Sequence, residues 1–232
     1  MGQKVNPKSF RLILTKDWES RWISKNLFAY NILADDITRK AIYKKFENIG
    51  INRIIIERSP QETKITIESS RPGSIIGRNG KGVLELKNII ERAVTSSSNF
   101  RLINSTVPIK KINDIKKKLI YNIKINISEI RNPETYAKLV AQDIANQLIK
   151  RMPYRRVIKK TISKVTSLKQ VLGVKISVAG RLGGVDIARS EKFSEGSIPL
   201  ATIKTNVDYA CVPALTTHGI VGIKVWIYKS DK

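Results

Sequence analysis

Apolar residues in the first quarter of the chain recur at the spacing of an α-helix. Ile42, Phe46 and Ile49 are spaced so that they lie on one helix face. Asp36 can accept hydrogen bonds from the free amides at a helix start, and Gly50 suits the position just past a helix end. The pattern therefore predicts a helix between these two residues.

Segments with a period of two follow that helix. Residues 53–58 are predicted to form a strand, residues 64–68 alternate between polar and apolar, and Ser-Pro-Gln-Glu at 59–62 is typical of a turn. Together they predict a β-hairpin. Residues 122–127 alternate in the same way and predict a further strand, which would close the first domain.

A glycine-rich segment, GSIIGRNGKGV, lies between the hairpin and that strand. Its centre, Gly77-Arg78-Asn79-Gly80, separates a short apolar helix from a longer amphipathic helix that begins near Lys81. The apolar positions that predict the longer helix are Val83, Leu86, Ile89, Ile90 and Val94. The order of elements, with a glycine hinge between the two helices, resembles a type II KH domain, whose G-X-X-G loop clamps a nucleic-acid backbone.

The chain is strongly basic for a sequence that can fold. Its 232 residues include 43 lysines and arginines against 19 acidic residues, a formal net charge of +24, while 41% of them are hydrophobic. That apolar fraction is sufficient for a packed core, so the basicity does not indicate a disordered tail. A polyanion would relieve the repulsion, which makes RNA or DNA the favoured partner and an anionic membrane surface the second.

The glycine-rich tetrapeptide has three possible roles: a nucleotide-binding loop, an ordinary turn, or a clamp on a nucleic-acid strand. A Walker A loop needs glycine at the position of Ile75 and serine or threonine at that of Gly82, so the first role fails. The KH-like order of elements favours the clamp over the turn. Residues Gly77 to Lys81 are therefore predicted to bind RNA, with open backbone amides and the charge of Arg78 directed at a phosphate.

The second half of the chain predicts a separate domain. Asn132 is the expected N-cap of a helix that begins at Pro133 and ends before Met152, and a second helix is expected over 153–169. The strands that should follow are 174–179, 185–189, 201–209 and 220–228. The predicted fold class is α+β with two small domains, an N-terminal type II KH domain and a C-terminal α/β two-layer domain.

The predicted domain boundaries follow from these elements. They are an N-terminal extension and helix at 1–35, the KH domain at 36–130 and the C-terminal domain at 131–232. Residues 95–121 combine a serine-rich start with many lysines, and we predict an insertion or mobile basic loop there.

A 42-residue segment, 144–185, contains ten lysines and arginines and no acidic residue. A solvated helix normally mixes both signs, so the counter-charge is expected from outside the chain. On the helix at 153–169 the apolar residues Ile158, Ile162, Val165 and Leu168 fill one arc. The rest of its surface carries Arg155, Arg156, Lys159, Lys160 and Lys164. Tyr154 is the one aromatic residue there, which argues against a membrane surface.

The sequence offers little for enzyme chemistry. Cys211 and His218 are the only cysteine and histidine, so an internal disulfide and a typical structural zinc site are excluded. Cys211 is predicted to be a buried packing residue, and no nucleophile motif surrounds His218. Asp35 and Asp36 are interpreted as helix-start residues. We predict no catalytic residue, no metal, no cofactor and, from the short apolar stretches, no membrane span or signal peptide.

Six motifs follow one another along almost the whole chain: MGQKVNP, RPGSIIGRNG, NPETYAKLVAQDIANQL, YRRVIKK, AGRLGGVDIAR and HGIVGIKVWIYK. Together they resemble the family of small-subunit ribosomal protein number three, in its bacterial and organellar form. The resemblance implies a non-catalytic component of the small-subunit head, beside the entrance for mRNA. It implies rRNA, mRNA and neighbouring head proteins as partners, and a chain that is not a homo-oligomer.

The resemblance also implies roles for individual residues. Arg155, Arg156 and Lys159 match positions that face incoming mRNA and help the moving ribosome to open structured messages. Further positions implied to bind rRNA are Gln3, Lys4, Asn6, Lys160, Lys164, Arg181 and Arg189. Residues 191–197 depart from the family pattern of aromatics and arginines around the Glu-Gly pair.

The compartment is predicted from composition. Heavy use of lysine, isoleucine and asparagine suggests an AT-rich genome, and the long 95–121 segment and Cys211 are similar to plastid members. An organellar ribosome, preferably in a plastid, is therefore favoured over the bacterial cytoplasm, and the lack of a transit peptide implies synthesis in that compartment. The alternative function is a free-standing KH-type RNA chaperone or regulator, and a metal-dependent nuclease is weaker because two-metal sites need clustered carboxylates.

Overall fold

The computed structural model describes residues 4–12, 14–24, 27–47, 49–59, 62–96 and 122–230. The chain forms two compact units, Trp18–Arg131 and Met1–Asp17 with Asn132–Lys232. Each combines helices with a four-stranded sheet, so the predicted α+β class is confirmed. The predicted 1–35 extension is divided between the units after Asp17. Gln3 and all of the predicted basic insertion beyond Ser96 lie outside the described residues.

The unit Trp18–Arg131 has the predicted KH order. With elements numbered along the whole chain, they are β1 (Ser20–Arg21), α2 (Phe28–Lys45), β2 (Ile51–Arg58), β3 (Thr63–Ser69), α3 (Pro72–Ile76), α4 (Lys81–Ser96) and β4 (Ile123–Glu129). The sheet order is β1-β2-β3-β4. Strands β2 and β3 form the predicted antiparallel hairpin, while β1 and β4 run parallel to their neighbours.

The core of this unit lies between the sheet and its helices. Its largest fully buried side chains are Ile42, Ile51, Ile54, Ile56, Ile65, Ile67, Ile75, Leu86 and Ile90. Isoleucine dominates because its β-branched side chain packs well on the pleated surface of strands. Each such side chain contributes roughly 1.5–3 kcal/mol when it leaves water, so this isoleucine layer fixes how α3 and α4 lie on the sheet.

Helix α2 differs from its prediction at both ends. It begins at Phe28 and ends at Lys45, so the predictions of Asp36 as N-cap and of Gly50 as C′ residue are wrong. Tyr30 and Ala34 are buried and extend the apolar stripe toward the N-terminus. The adjacent acidic residues resemble a helix start, but the buried stripe continues through them.

Asp35 is a buried hydrogen-bond acceptor and not a helix-start residue. Its carboxylate accepts from Arg58 Nη2 at 2.6 Å and Nε at 2.9 Å. The hydroxyl of Ser20 and the indole Nε1 of Trp22 each donate to it at 2.8 Å. The side chains of Arg58 and Asp35 are 8% and 3% exposed. This ion pair ties α2 to β2 and to the segment around β1.

The other unit is a two-layer domain. Its elements are α1 (Pro7–Phe10), α5 (Ala137–Ile149), α6 (Tyr154–Thr166), β5 (Val171–Gly180), β6 (Arg189–Gly196), β7 (Val207–Thr216) and β8 (Gly219–Lys229). The strands form an antiparallel sheet in the order β6-β5-β8-β7. Helices α5 and α6 pack on one face of this sheet, and the core lies between the two layers.

Helix α5 carries the predicted buried face, which comprises Ala137, Val140, Ala141, Ile144 and Leu148. Its predicted start is wrong. A one-turn 3-10 helix at Pro133–Thr135 precedes it, Tyr136 occupies the N-cap position, and Asn132 makes no side-chain capping hydrogen bond. The carboxylate of Asp208 accepts a hydrogen bond from the amide of Ala137 at 3.0 Å instead. Asp208 on β7 therefore supplies the hydrogen-bond acceptor at the helix start that was expected from Asn132.

Two of the four predicted strands are misplaced. The second begins at Arg189 instead of ending there, and the third begins at Val207 and continues to Thr216. The segment before the third strand surrounds Arg11, which is fully buried. Arg11 donates to the carbonyls of Pro199, Leu200, Thr202 and Thr205 at 2.8–3.2 Å, so these carbonyls are not available for a sheet.

We expect Asp35→Asn to lower the free energy of unfolding by about 3 kcal/mol, because it replaces the buried carboxylate that pairs with the Arg58 guanidinium by a neutral amide. Urea denaturation followed by circular dichroism measures the change. Asp36→Asn is the matched control: Asp36 is half exposed, pairs with Lys40 at 2.7 Å, and should contribute less than about 0.5 kcal/mol. Equal effects of the two substitutions would contradict a stabilising role for the buried pair.

Candidate nucleic-acid interface

The glycine-rich tetrapeptide links α3 to α4 and adopts a backbone that few other residues allow. Gly77, Asn79 and Gly80 have φ values of 70°, 52° and 74°. Glycine adopts positive φ without steric cost, and asparagine tolerates it better than most residues. The side chains of Arg78 and Lys81 are exposed. The hinge is therefore a sharp turn that presents two cations.

Gly82, just inside α4, is a close-packing position that was not predicted from the sequence. A Cβ atom there would lie 2.4 Å from the carbonyl oxygen of Ile75 and 2.8 Å from that of Ile76. No side chain fits at such distances, so this glycine lets the start of α4 contact the backbone of α3. The available signal was a third glycine two residues beyond the tetrapeptide.

The electrostatics of the loop favour an anion. Helix α4 has 16 residues and no acidic residue in its first turn, so the positive end of its dipole is not compensated there. Its first acid, Glu85, pairs with Lys45 at 3.1 Å. Arg78 and Lys81 have no ion pair within the described part of the chain. A phosphate near this loop would meet a helix start and two unpaired cations.

Helix α6 has the two faces that its sequence predicts. Ile158, Ile162 and Val165 are buried, together with Val157 and Thr161. Leu168, just beyond the helix end, is half-buried against the same core. The basic residues are all exposed: Arg155, Arg156, Lys159, Lys160 and Lys164. Burial of one face fixes the helix on the sheet, so the other face holds its cations at defined positions.

Arg155 differs from the other cations of α6 because an acid holds it. Its Nη2 lies 3.0 Å from the Glu191 carboxylate, and its Nε donates to the Tyr154 hydroxyl at 3.1 Å. That hydroxyl donates to Glu191 at 2.8 Å. The hydrogen bond with Arg155 lowers the pKa of Glu191, and the same bond raises the pKa of Arg155. The acid-free segment is therefore partly neutralised by an acid that follows it on β6.

The remaining candidate rRNA-binding residues lie elsewhere in the same unit. The amide of Lys8 donates to Asn6, which caps α1, and Lys4 is exposed beside it. Arg181 pairs with Asp186 at 2.8 Å and donates to the carbonyl of Val185 at 2.9 Å. Arg189 is exposed at the start of β6. These residues are spread over three segments, whereas the cations of α6 share one helix face.

The residues considered for enzyme chemistry do not form a site. Cys211 is exposed, so the prediction of a buried packing residue is wrong. His218 is exposed and, with Arg181, Tyr154 and other residues, lines a cavity of about 620 Å³ in the C-terminal unit. Within the described ranges no group of three His, Cys, Asp or Glu side chains could hold a metal ion. No helix described there is long and apolar enough to cross a membrane.

Comparison with known proteins decides the family. A KH domain model matches residues 37–135, and a model of the C-terminal domain of ribosomal protein S3 matches residues 144–227. Over all 232 residues, the chain is 40% identical to the small ribosomal subunit protein uS3 of Clostridium novyi, of which it covers 94%. It is 39% identical to that of Carboxydothermus hydrogenoformans, covering 93%, and 38% identical to that of Polaromonas naphthalenivorans, covering 70%. The chain belongs to the uS3 family.

Membership of the uS3 family confirms the resemblance seen in the sequence. The chain is a structural, RNA-binding ribosomal protein and not an enzyme. The uS3 relatives named above are bacterial, so they do not support the preference for a plastid. In this chain the KH loop lies in the unit that the KH model matches, and the basic face of α6 lies in the unit that the S3 C-terminal model matches.

We expect Gly82→Ala to destabilise the chain and to weaken its binding to RNA. The added Cβ would collide with two backbone oxygens, so α4 must shift away from α3 and the loop between them must change shape. Thermal unfolding should show a loss of about 1–3 kcal/mol, the usual cost of overpacking.

Gly73→Ala is the control for that change, because a Cβ at Gly73 in α3 meets nothing within 4 Å. It should leave both unfolding and RNA binding nearly unchanged. If the two variants behave alike, the contact at Gly82 does not shape the loop.

Proposed function

We propose that this chain stabilises the head of the small ribosomal subunit by binding rRNA, and that the exposed face of α6 lines the entrance for mRNA. The observation that supports this most strongly is the helix itself: one face is buried in the core, and the opposite face carries only basic and small polar side chains. Such a face can hold separated RNA strands by their phosphates without reading bases.

The KH loop is proposed as a second contact, with rRNA. Backbone amides in a turn with positive φ and an adjacent helix start suit a phosphate, and Arg78 and Lys81 add charge-assisted contacts. Lys4, Asn6, Lys160, Lys164, Arg181 and Arg189 are proposed to bind rRNA through the same phosphate chemistry, as is Gln3. Neighbouring proteins of the head are the remaining proposed partners.

The four unpaired cations of α6 differ in role from Arg155 in this proposal. Arg156, Lys159, Lys160 and Lys164 have no ion pair within the described residues, so they are available for phosphates. Arg155 shares its charge with Glu191 and stacks against Tyr154, with its guanidinium carbon 5.7 Å from the ring centroid. Arg155 would therefore help to position the start of the helix as well as face the message.

The competing function is a free-standing KH-type RNA chaperone or regulator. The match to uS3 relatives over the entire chain supports the ribosomal function. Sedimentation of a cell extract at moderate salt separates the two, since a ribosomal protein stays with the small subunit and a regulator leaves it. The ribosome is proposed to be of bacterial type, either in a bacterium or in an organelle.

We expect the isolated chain to bind single-stranded RNA with little sequence preference and with strong salt dependence. Five or six neutralised phosphates would give a slope of about −4 for log affinity against log salt concentration. The double substitution Arg78→Asp with Asn79→Asp should weaken binding and make the slope shallower by about 0.7 for each phosphate that the loop no longer neutralises. Thermal unfolding should change little, because both side chains are exposed.

Asn88→Asp with Arg92→Asp is the charge-matched control, since both residues are exposed on α4 away from the loop. It should alter affinity much less than the loop variant. A slope near zero for the native chain would overturn electrostatic binding. Equal binding by the loop and control variants would make the tetrapeptide an ordinary turn.

We expect the triple substitution of Arg155, Arg156 and Lys159 by alanine to slow translation of a hairpin-bearing message more than that of an unstructured one. All three side chains lie outside the buried face of α6, so folding and subunit assembly should survive. Arg156→Ala with Lys159→Ala should retain most of the effect, because Arg155 is already held by Glu191. If both messages slow equally, or if subunits fail to form, these residues serve assembly.

A further inference from the structure

The sheet of the C-terminal unit has an outer face that α5 and α6 do not cover. Helices α5 and α6 pack on the side that carries Val174, Ile176, Val178, Ile223, Val225 and Ile227. Side chains alternate along a strand, so the intervening residues point to the opposite side. We call this side the outer face; it includes Lys175, Ser177 and Ala179 of β5, Lys192 and Ser194 of β6, Tyr209 and Cys211 of β7, and Lys224 and Trp226 of β8.

Strand register aligns these residues in rows. The first row is Ser194, Lys175, Trp226 and Tyr209. The second row, two residues along each strand, is Lys192, Ser177, Lys224 and Cys211. An aromatic pair therefore lies beside a row that carries two lysines, about 7 Å away. A lysine side chain spans that distance.

The aromatic pair is partly exposed, and its two rings already pack against each other in a tilted arrangement. The ring centroids of Tyr209 and Trp226 lie 5.2 Å apart with the planes tilted by 40°. The ammonium group of Lys175 lies 5.7 Å from the centroid of Trp226 on the same face. Both rings are half-buried, so their orientation is held by neighbours while part of each remains accessible.

The charge of the outer face has one sign. Neither row contains an acidic residue, and Lys175, Lys192 and Lys224 have no ion pair among the residues that the structure describes. The acids of β6, Glu191 and Glu195, pair in register with Val178 and Val174 and so belong to the helix-covered side. Aromatic rings bordered by unpaired cations on an open sheet are complementary to exposed bases joined by phosphates.

We propose that the outer face is a stacking platform for single-stranded RNA, with bases on Trp226 and Tyr209 and phosphates on Lys175, Lys192 and Lys224. The proposal rests on the RNA-binding function proposed above and adds a third RNA-binding surface to the KH loop and α6. Stacking needs unpaired bases, whereas lysines alone would accept any phosphate backbone. The platform therefore prefers an unpaired segment to a duplex.

Cys211 makes the native chain its own probe, because the only cysteine of the sequence is exposed in the second row. The experiment measures how fast iodoacetamide, an uncharged reagent, alkylates Cys211 in the full chain. The rate is measured without RNA, with a twelve-nucleotide oligouridylate and with a twelve-base-pair RNA duplex. Both RNAs are about long enough to cover the two rows and extend beyond them. Each RNA is added to saturation, which fluorescence anisotropy verifies. We expect the single strand to slow alkylation at least about fivefold and the duplex to slow it less than about twofold.

Each other outcome overturns the proposal in a different way. If the single strand binds and the alkylation rate is unchanged, RNA does not occupy the outer face, although RNA binding by the chain stands. If single strand and duplex protect equally, the face is only a basic surface and not a stacking platform. If neither RNA binds, the proposed RNA-binding function fails as well. The variant Arg78→Asp with Asn79→Asp should still show protection, which separates this face from the KH loop.

Substitutions test the stacking itself. Trp226→Leu should weaken oligouridylate binding about tenfold, the typical loss of one stacked base. Trp226→Phe should retain most of the native affinity, because its ring can still stack. Lys192→Gln with Lys224→Gln should abolish protection of Cys211. Lys169→Gln with Lys204→Gln, which changes two exposed lysines of the same unit outside both rows, should not. If Trp226→Phe binds oligouridylate as weakly as Trp226→Leu, the stacking role of this residue is overturned. If a variant fails to fold, the alkylation rates of the native chain still decide the proposal.

Discussion

Repulsion among cations is the constraint on which the rest of this structure depends. A net charge of +24 on 232 residues cannot be balanced within the chain, so the fold separates cations that are neutralised internally from exposed cations for which the described residues supply no acid. The first group includes exposed ion pairs, such as Lys40 with Asp36, and two buried arginines. Arg58 is matched by Asp35, and Arg11 is surrounded by backbone carbonyls. The second group lies on a helix face, a glycine loop and an open sheet.

The buried cations organise the fold because a guanidinium donates several hydrogen bonds in fixed directions. Arg11 gathers the carbonyls of the segment before β7, so this segment follows the arginine and forms no strand. Arg58 donates hydrogen bonds to the carboxylate of Asp35, and Ser20 and Trp22 donate to the same carboxylate. In both cases the guanidinium donates hydrogen bonds to acceptors that are far from it in sequence. The exposed cations need only an apolar opposite face to hold their element in place.

This difference explains how far the sequence predicts the structure. The hairpin, α4 and α6 follow from local periodicity, because each buries one stripe against the core. The start of α2, the strand boundaries around Arg189 and Val207, and the exposure of Cys211 depend on non-local contacts that no local pattern reveals. At the candidate sites, residue type and spacing identify the cations. They do not reveal that Glu191 holds Arg155, that Gly82 permits the contact between α3 and α4, or that Trp226 and Tyr209 share a row.

Strand β6 shows how one element serves two basic surfaces at once. Its alternation directs Glu191 toward α6, where it holds Arg155 and Tyr154, and directs Lys192 to the outer face of the sheet. Glu191 therefore lies where it positions a helix. Lys192 lies where no neighbouring acid of the two rows competes with an external anion for its charge. Because the two residues are adjacent, a shift of β6 by one position would reverse both assignments. Register thus controls the charge of both surfaces, and Phe193, packed on the core, helps to fix that register.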